Sequence, residues 1–370
     1  MKKGLIERAM VALRRLDLPL VVIASLISLL SVINLRSASM HVAASYHISQ
    51  IMWFGVGVAL AVGVAVMETR FIKRGALFFY GVVIVLLAAV ALVGTESNNS
   101  QRWLNLGVFM VQPSELLKLA VIVMTASFFD DRQKEEGYHL HELWKPAGLV
   151  LVGVLFVMNQ PDLGTSLLIL AIFATMVLFE GLRWESMVML GLAVVVALPL
   201  GYSLVLQDYQ QDRVRSFLNI EADAQGQSWQ VRQSMIAFGS GQVWGRGHGQ
   251  GTQIQKGFVP EHQNDFIAAH WAEERGFVGM VGLLMLYFAL IAAILNISRK
   301  ASTRFGVLIG VGMAAMIFWH VLVNLGMVLG VLPVVGLTLP IMSYGGSSLL
   351  VILIGFGLLL NLGIHRRPGI

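Results

Sequence analysis

Apolar residues along this chain gather in long unbroken runs separated by short polar segments. The runs cover residues 18–35, 48–67, 75–94, 114–129, 146–159, 164–179, 187–206, 266–297, 305–330 and 341–362. A hydrocarbon core about 30 Å thick needs roughly 20 apolar residues at a helical rise of 1.5 Å. The pattern therefore predicts an all-α integral membrane protein of about ten transmembrane helices, a single polytopic domain over residues 1–370. The run at 146–159 is the shortest, and the turn residues Gln160-Pro161-Asp162-Leu163-Gly164 behind it also fit a short hairpin. The first run follows Lys2, Lys3, Arg8, Arg14 and Arg15. It is longer than the roughly 7 to 15 residues of a signal-peptide core and is read as a retained helix.

Between the runs, charge orients the chain. With the N-terminus inside, the inner segments carry Arg70, Lys73, Arg74, Arg132, Lys134, Lys145, Arg183, Arg299, Lys300, Arg304, Arg366 and Arg367, and the short outer loops only Arg36 and Arg102. The positive-inside rule then puts both termini in the cytoplasm. Composition agrees: 56% of residues are hydrophobic and 13% charged, with a mean hydropathy of +0.75. The net charge of +5 reflects this topology and not nucleic-acid binding. The absence of cysteine excludes disulfides and thiolate metal sites.

One polar segment is too long for a plain connection. Residues 207–265, between the seventh and eighth helices, form a large extracytoplasmic loop. Loops of this length are functional or disordered. Disorder suits residues 221–227, whereas Trp229, Phe238, Trp244, Phe258 and repeated glycines predict packed turns in the second half. Those glycines follow no strand and lack a Gly-Lys-Ser/Thr end, which argues against a nucleotide loop.

Acidic and amide side chains crowd the end of this loop, in Phe258-Val259-Pro260-Glu261-His262-Gln263-Asn264-Asp265-Phe266. Asp265 falls at or near a helix N-cap, where a carboxylate can accept from orphan N–H groups. Capping and chemistry are compatible there. Glu115 and Lys118, three residues apart, share one face near the outer end of the fourth helix. Ionisable groups at that depth must pair or face a cavity, so the two form either a structural ion pair or part of a site. Arg102, Arg213, Arg215, Arg232, Arg246 and Lys256 place cations where an anionic headgroup would lie, or else form a solvated set. Glu273, Glu274 and Arg275 suit internal pairing. The stretch from Leu332-Pro333 to Ser343-Tyr344-Gly345-Gly346-Ser347-Ser348 predicts irregular backbone at membrane depth or close small-residue packing.

Several of these motifs, in this order, resemble the SEDS (shape, elongation, division, sporulation) family. Pro260-Glu261, Asp265-Phe266-Ile267 and Ala272-Glu273-Glu274 match its signature, as do Arg102-Trp103, Gln112-Pro113-Ser114-Glu115 with Lys118, and Gln160 to Thr165. Gln233-Ser234, Gly239-Ser240-Gly241, Asn324 to Met327, Leu332-Pro333-Val334 and Ser343 to Ser347 continue the match. Gly251-Thr252-Gln253 and the short C-terminal tail are similar to the rod-elongation branch more than to the division branch. Gln263-Asn264 departs from the family's His-Thr, so no role rests on that histidine. His262 and His270 are read first as packing or hydrogen-bonding residues.

The resemblance implies a peptidoglycan glycosyltransferase of the bacterial inner membrane. It would join lipid II units into β-1,4 glycan with release of undecaprenyl pyrophosphate, beside a class B penicillin-binding protein. Together these readings make Asp265 the catalytic residue and Glu115, Lys118, Arg102, Arg213, Arg246, Glu261 and Ser343 substrate-binding residues. No cofactor is called for. No Asp-x-Asp pair occurs in the outer loop, so a divalent cation, if used, is held largely by the substrate's phosphates. A transporter that flips lipid II and a non-catalytic scaffold remain the alternatives, since intramembrane charge serves either.

Overall fold

The structure is a computed structural model that describes residues 17–40, 45–97, 100–105, 107, 110–134, 136–200, 211, 215, 217, 227–255, 257–258 and 262–364. Each predicted run coincides with a helix: α1 Leu18–Ala38, α2 Tyr46–Ala65, α4 Ala76–Val93, α5 Pro113–Asp130, α6 Trp144–Asn159, α7 Leu163–Glu180, α8 Trp184–Leu200, α11 Ile267–Arg299, α12 Arg304–Val328 and α13 Gly346–Ile364. A short helix, α3 Thr69–Arg74, links α2 to α4. The outer loop holds α9 Gln227–Ser240 and α10 Thr252–Gln255.

Among the described residues, eight helices are long and apolar enough to cross a membrane. The short run belongs to one of them: a 3-10 turn, Leu140–Leu143, leads directly into α6, giving 20 continuous residues over Leu140–Asn159. That length favours a crossing over a hairpin. Of the two other predicted spans, α5 carries Glu115, Lys118 and Asp130, and α8 has 17 residues.

The structure adds a feature that the apolar pattern does not show. Between α4 and α5 lies a small antiparallel sheet of β1 Thr95–Ser97, β2 Ser100–Asn105 and β3 Met110–Val111, in the order β1-β2-β3. Thr95 pairs with Trp103 and Leu104 with Val111. The sheet delivers the chain to Pro113, whose fixed φ suits the first turn of α5. Asp162 starts α7 by accepting from the Thr165 N–H at 3.2 Å.

Packing is closest where side chains are smallest. A Cβ on Gly57 of α2 would lie 2.3 Å from Leu353 of α13, and one on Gly357 would lie 2.5 Å from the Ala61 carbonyl oxygen. Lipid tails are as apolar as leucine, so close backbone approach, not hydrophobic burial, holds such helices together. At one end of the bundle, Arg304 meets Glu180 with two parallel bonds of 2.9 and 3.0 Å. Asp130 there accepts from the Phe305 N–H at 2.9 Å.

At the other end the outer loop is built into α11. Gly276 breaks that helix with φ 66° and ψ −165°. Loop backbone fills the break: the N–H groups of Phe277 and Val278 donate to the Gln242 and Val243 carbonyls at 2.8 and 3.1 Å. Arg246 and Gly247 donate through their own N–H groups to the carbonyls of Glu273 and Glu274, at 2.9 and 3.1 Å. The polar groups freed by the break are thereby satisfied, as an interrupted membrane helix requires. The acidic pair reinforces the join. Glu273 accepts from the Gln253 N–H at 2.9 Å. Glu274 accepts from the Gly249 N–H at 2.7 Å, bonds the Ser37 hydroxyl, and meets His248 and His270 at 3.3 and 3.2 Å.

Gly245 sits at φ 81°, and a Cβ there would lie 2.1 Å from the Glu274 carbonyl oxygen. Backbone cannot step aside as a side chain can. Gly245→Ala should combine about 1–3 kcal/mol of backbone strain with that clash and loosen the loop from α11, read as faster limited proteolysis near residues 241–258 and a lower melting temperature in detergent. Gly239→Ala, where nothing lies within 4 Å of the new Cβ, should behave as wild type.

Candidate functional site

Between α12 and α13, residues 329–345 run without regular structure, and residues 339–343 are buried. Buried carbonyls without partners are costly in lipid, and side chains from four helices supply the partners. Ser31 of α1 donates to the Met342 carbonyl at 2.9 Å. Gln50 of α2 donates to those of Ser343 and Ile341 at 3.1 and 3.3 Å. The Tyr287 hydroxyl of α11 donates to Pro340 at 2.5 Å. Asn324 of α12 donates to Leu337 at 2.7 Å and, at the same distance, to the carbonyl of Asp265.

That last bond ties the strap to the turn at residues 262–266, and more follow. The Ser343 hydroxyl donates to the Asn264 carbonyl at 2.7 Å and accepts from the Leu339 N–H at 2.8 Å. The Tyr344 N–H donates to the Gln263 carbonyl at 2.9 Å. Three consecutive carbonyls of the turn are therefore held, those of Gln263 and Asn264 by the strap and that of Asp265 by Asn324 of α12. Ser343, read from the motif as a substrate residue, is buried with its hydroxyl used in positioning the turn.

Asp265 itself is half-buried and stands one residue before the N-cap of α11. Phe266 occupies the N-cap of α11, and no side chain from that position caps the helix. Asp265 thus stands near the N-cap, as expected, one residue before it. The carboxylate lies beside Gly336 of the strap, where an added Cβ would be 3.4 Å from Asp265 Oδ2.

Behind the strap lies the predicted ion pair. Lys118 Nζ is 2.7 Å from Glu115 Oε2, with the lysine side chain 1% and the glutamate side chain 9% exposed. A third member escaped the sequence reading: His320 of α12 stands 2.9 Å from Lys118 Nζ through Nε2, with Nδ1 3.0 Å from the Thr338 carbonyl. A carbonyl only accepts, so Nδ1 carries the proton and Nε2 accepts from the ammonium. The chain Glu115, Lys118, His320, Thr338 ends on the strap two residues from Gly336. A lone histidine within an apolar run was the available signal.

The cations are differently placed from the expected phosphate cluster. Arg102 donates through Nε to the Gln160 carbonyl at 2.9 Å and through Nη2 to the Pro161 carbonyl, so it fixes the turn before α7. Arg246 donates to the Ser240 carbonyl at 3.3 Å and to the Thr252 hydroxyl at 3.1 Å, within the outer loop. Both guanidiniums hold the fold first. Arg213, Lys256 and Glu261 lie outside the described residues. Among the described residues, no group of three or more His, Asp or Glu is placed to hold a metal ion.

Comparison with known proteins agrees along the whole chain. The FtsW/RodA/SpoVE family model, described as a cell cycle protein, matches residues 10–368. Peptidoglycan glycosyltransferase MrdB of Escherichia coli (strain K12) is 40% identical over 321 residues, 84% of each chain. Stage V sporulation protein E of Bacillus subtilis (strain 168) is 35% identical over 365 residues, covering 95% of this chain and 98% of that protein. Among solved structures, a chain from work titled "Structural coordination of polymerization and crosslinking by a peptidoglycan synthase complex" superimposes with a TM-score of 0.82 at 32% identity, over 96% of this chain and 99% of that one. The rod shape determining protein RodA of Thermus thermophilus gives 0.69 at 30% identity, over 96% and 98%. A buried strap anchoring an aspartate turn, on a multi-pass helical bundle matched from residue 10 to residue 368, thus belongs to the FtsW/RodA/SpoVE family, the SEDS family that the motifs resemble.

Proposed function

We infer that this chain is a peptidoglycan glycosyltransferase that polymerises lipid II into β-1,4 glycan during cell elongation. Relatives named for that activity and for rod shape support the reading. The observation that carries it is the anchored turn, which presents the Asp265 carboxylate on a support whose successive carbonyls are held by the strap and by Asn324 of α12. A base works only if its direction is set before the substrate arrives.

In this reading the protein crosses the bacterial inner membrane with both termini cytoplasmic, so that Asp265 faces outward, where lipid II is presented. The acceptor sugar hydroxyl attacks the anomeric carbon of the α-linked donor while its proton passes to the Asp265 carboxylate. The glycosidic bond to undecaprenyl pyrophosphate breaks with inversion, giving the β link without a covalent enzyme intermediate. Arg213 and Glu261 keep the phosphate and sugar contacts that the sequence reading gave them. Arg246, 40% exposed at its side chain, extends the cationic rim. A divalent ion, if used, is held by the substrate's phosphates. Glu115, Lys118 and His320 act through the strap as positioning residues, because burial separates the pair from solvent. A class B penicillin-binding protein crosslinks the product, in keeping with the similarity to a chain of a peptidoglycan synthase complex. Placement of the site residues around one end of the bundle favours a synthase over a transporter that needs a path through it.

Two experiments test the assignments. Asp265→Asn removes the base but keeps the side chain's size; purified in detergent with lipid II, it should bind substrate and melt near wild type while polymerising about 10² to 10⁴ times more slowly. Polymerisation at the wild-type rate would move the base elsewhere, and a wild-type protein that only translocates lipid II in vesicles would make it a transporter. Removing one partner of the buried ion pair should cost about 3–5 kcal/mol, whereas an apolar pair should be near neutral. Glu115→Ala and Lys118→Ala should therefore melt well below wild type, and the double variant Glu115→Leu with Lys118→Met close to it. If that double variant also polymerises at the wild-type rate, the pair is purely structural.

A further inference from the structure

At the end of the bundle opposite Asp265, Arg70, Lys73, Arg74 and Leu77 form one stripe. Positions i, i+3, i+4 and i+7 share a helical face, and only Gly75 separates α3 from α4. Ser127 and Asp131, at the end of α5, face the stripe across a cleft of about 390 Å³, a volume within the usual range for small-ligand sites. α3 is held firmly in place. Asn361 of α13 donates to the carbonyls of Val64, Ala65 and Met67 at 3.2, 3.1 and 2.5 Å, and accepts from the Thr69 hydroxyl at 2.8 Å.

The three cations of the cleft are not equivalent. Lys73 is bound by Asp130 at 2.5 Å and Asp131 at 2.6 Å. Burial works against its charge, but the two carboxylates outweigh it and raise its pKa above the ordinary lysine value. Arg70 and Arg74 are exposed, and neither makes a hydrogen bond or ion pair among the described residues. The positive-inside rule accounts for cations at this end. It does not require two unengaged guanidiniums on the rim of one cleft. Beside them Phe71, Leu77 and Phe78 are 61%, 61% and 78% exposed, an apolar shoulder continuous with the outer face of α4.

We propose that this cleft binds the phosphate of an anionic phospholipid, with Arg70 and Arg74 on the phosphodiester and the acyl chains along Leu77 and Phe78. Guanidinium matches phosphate geometry with paired hydrogen bonds and is weakly hydrated. Basic pockets between membrane helices are suited to such headgroups. The apolar shoulder selects a lipid over a soluble phosphate ester, because only a lipid covers it. On the orientation inferred above, the lipid belongs to the cytoplasmic leaflet. The site lies at the far end of the bundle from the glycan chemistry and does not depend on it.

Native mass spectrometry of the full-length protein in detergent, titrated with phosphatidylglycerol or phosphatidylcholine, tests the site. The wild type should retain phosphatidylglycerol preferentially, and Arg70→Gln with Arg74→Gln should lower that retention about tenfold or more. Arg299→Gln with Lys300→Gln removes the same charge from the same end, outside the cleft, and should retain the lipid as wild type does. Equal retention by the cleft variant would overturn the proposal, as would an equal loss in the control variant, which would assign binding to diffuse charge. Displacement of the lipid by millimolar inorganic phosphate would also overturn it, in favour of a soluble anion.

Discussion

Seventeen residues of irregular chain, 329–345, buried over 339–343, impose the condition on which the rest of the structure depends. Its buried part, residues 339–343, is shut off from solvent, so the carbonyls there need partners from the protein. The partners come from Ser31, Gln50, Tyr287, His320 and Asn324 on four different helices. Satisfying the strap therefore fixes the mutual placement of α1, α2, α11 and α12. Individual membrane hydrogen bonds contribute modestly, about 0.6 kcal/mol on average. Their convergence on one segment nevertheless gives it a single conformation, and Asp265 inherits that rigidity through Asn324 and Ser343.

The same logic separates the residues near the site. The Ser343 hydroxyl, the Asn324 amide N–H groups and the His320 ring are bonded to backbone or to Lys118, so their effect on chemistry is indirect. Arg102 and Arg246 stabilise turns at the edge of the bundle. Glu273 and Glu274, adjacent in sequence, both face the outer loop; each accepts from a loop N–H group. A charged residue inside a membrane protein is thus not automatically a ligand-binding residue. What it is bonded to decides.

Much of this was legible in the sequence because apolar length translates directly into a bilayer crossing. The runs at 18–35 and 75–94 reappear as α1 and α4 within a few residues. The strap was legible as well, since Pro333 and Pro340 interrupt a helix. The sheet at 95–111 was not, because strands of two to six residues carry too few positions to show alternation. Asp265 stood out through its motif and lies near the start of α11 as expected, with Phe266 in the cap position itself. His320 was hidden differently: a solitary histidine acquires meaning only when Lys118, 202 positions away, is brought against it.

The break in α11 also bears on how the chain is made. The carbonyls that complete the helix at Phe277 and Val278 belong to Gln242 and Val243, which leave the ribosome earlier and, on the inferred orientation, must cross the membrane first. The upper part of α11 therefore cannot finish as a helix while it is still being inserted; it waits for an already exported loop to return and dock. The turn at residues 262–266, immediately upstream of α11, waits longer still, because its anchors Asn324, Ser343 and Tyr344 all come later in the chain. An immature chain in the membrane would then carry an aspartate without its anchors, and activity would appear only once assembly is complete.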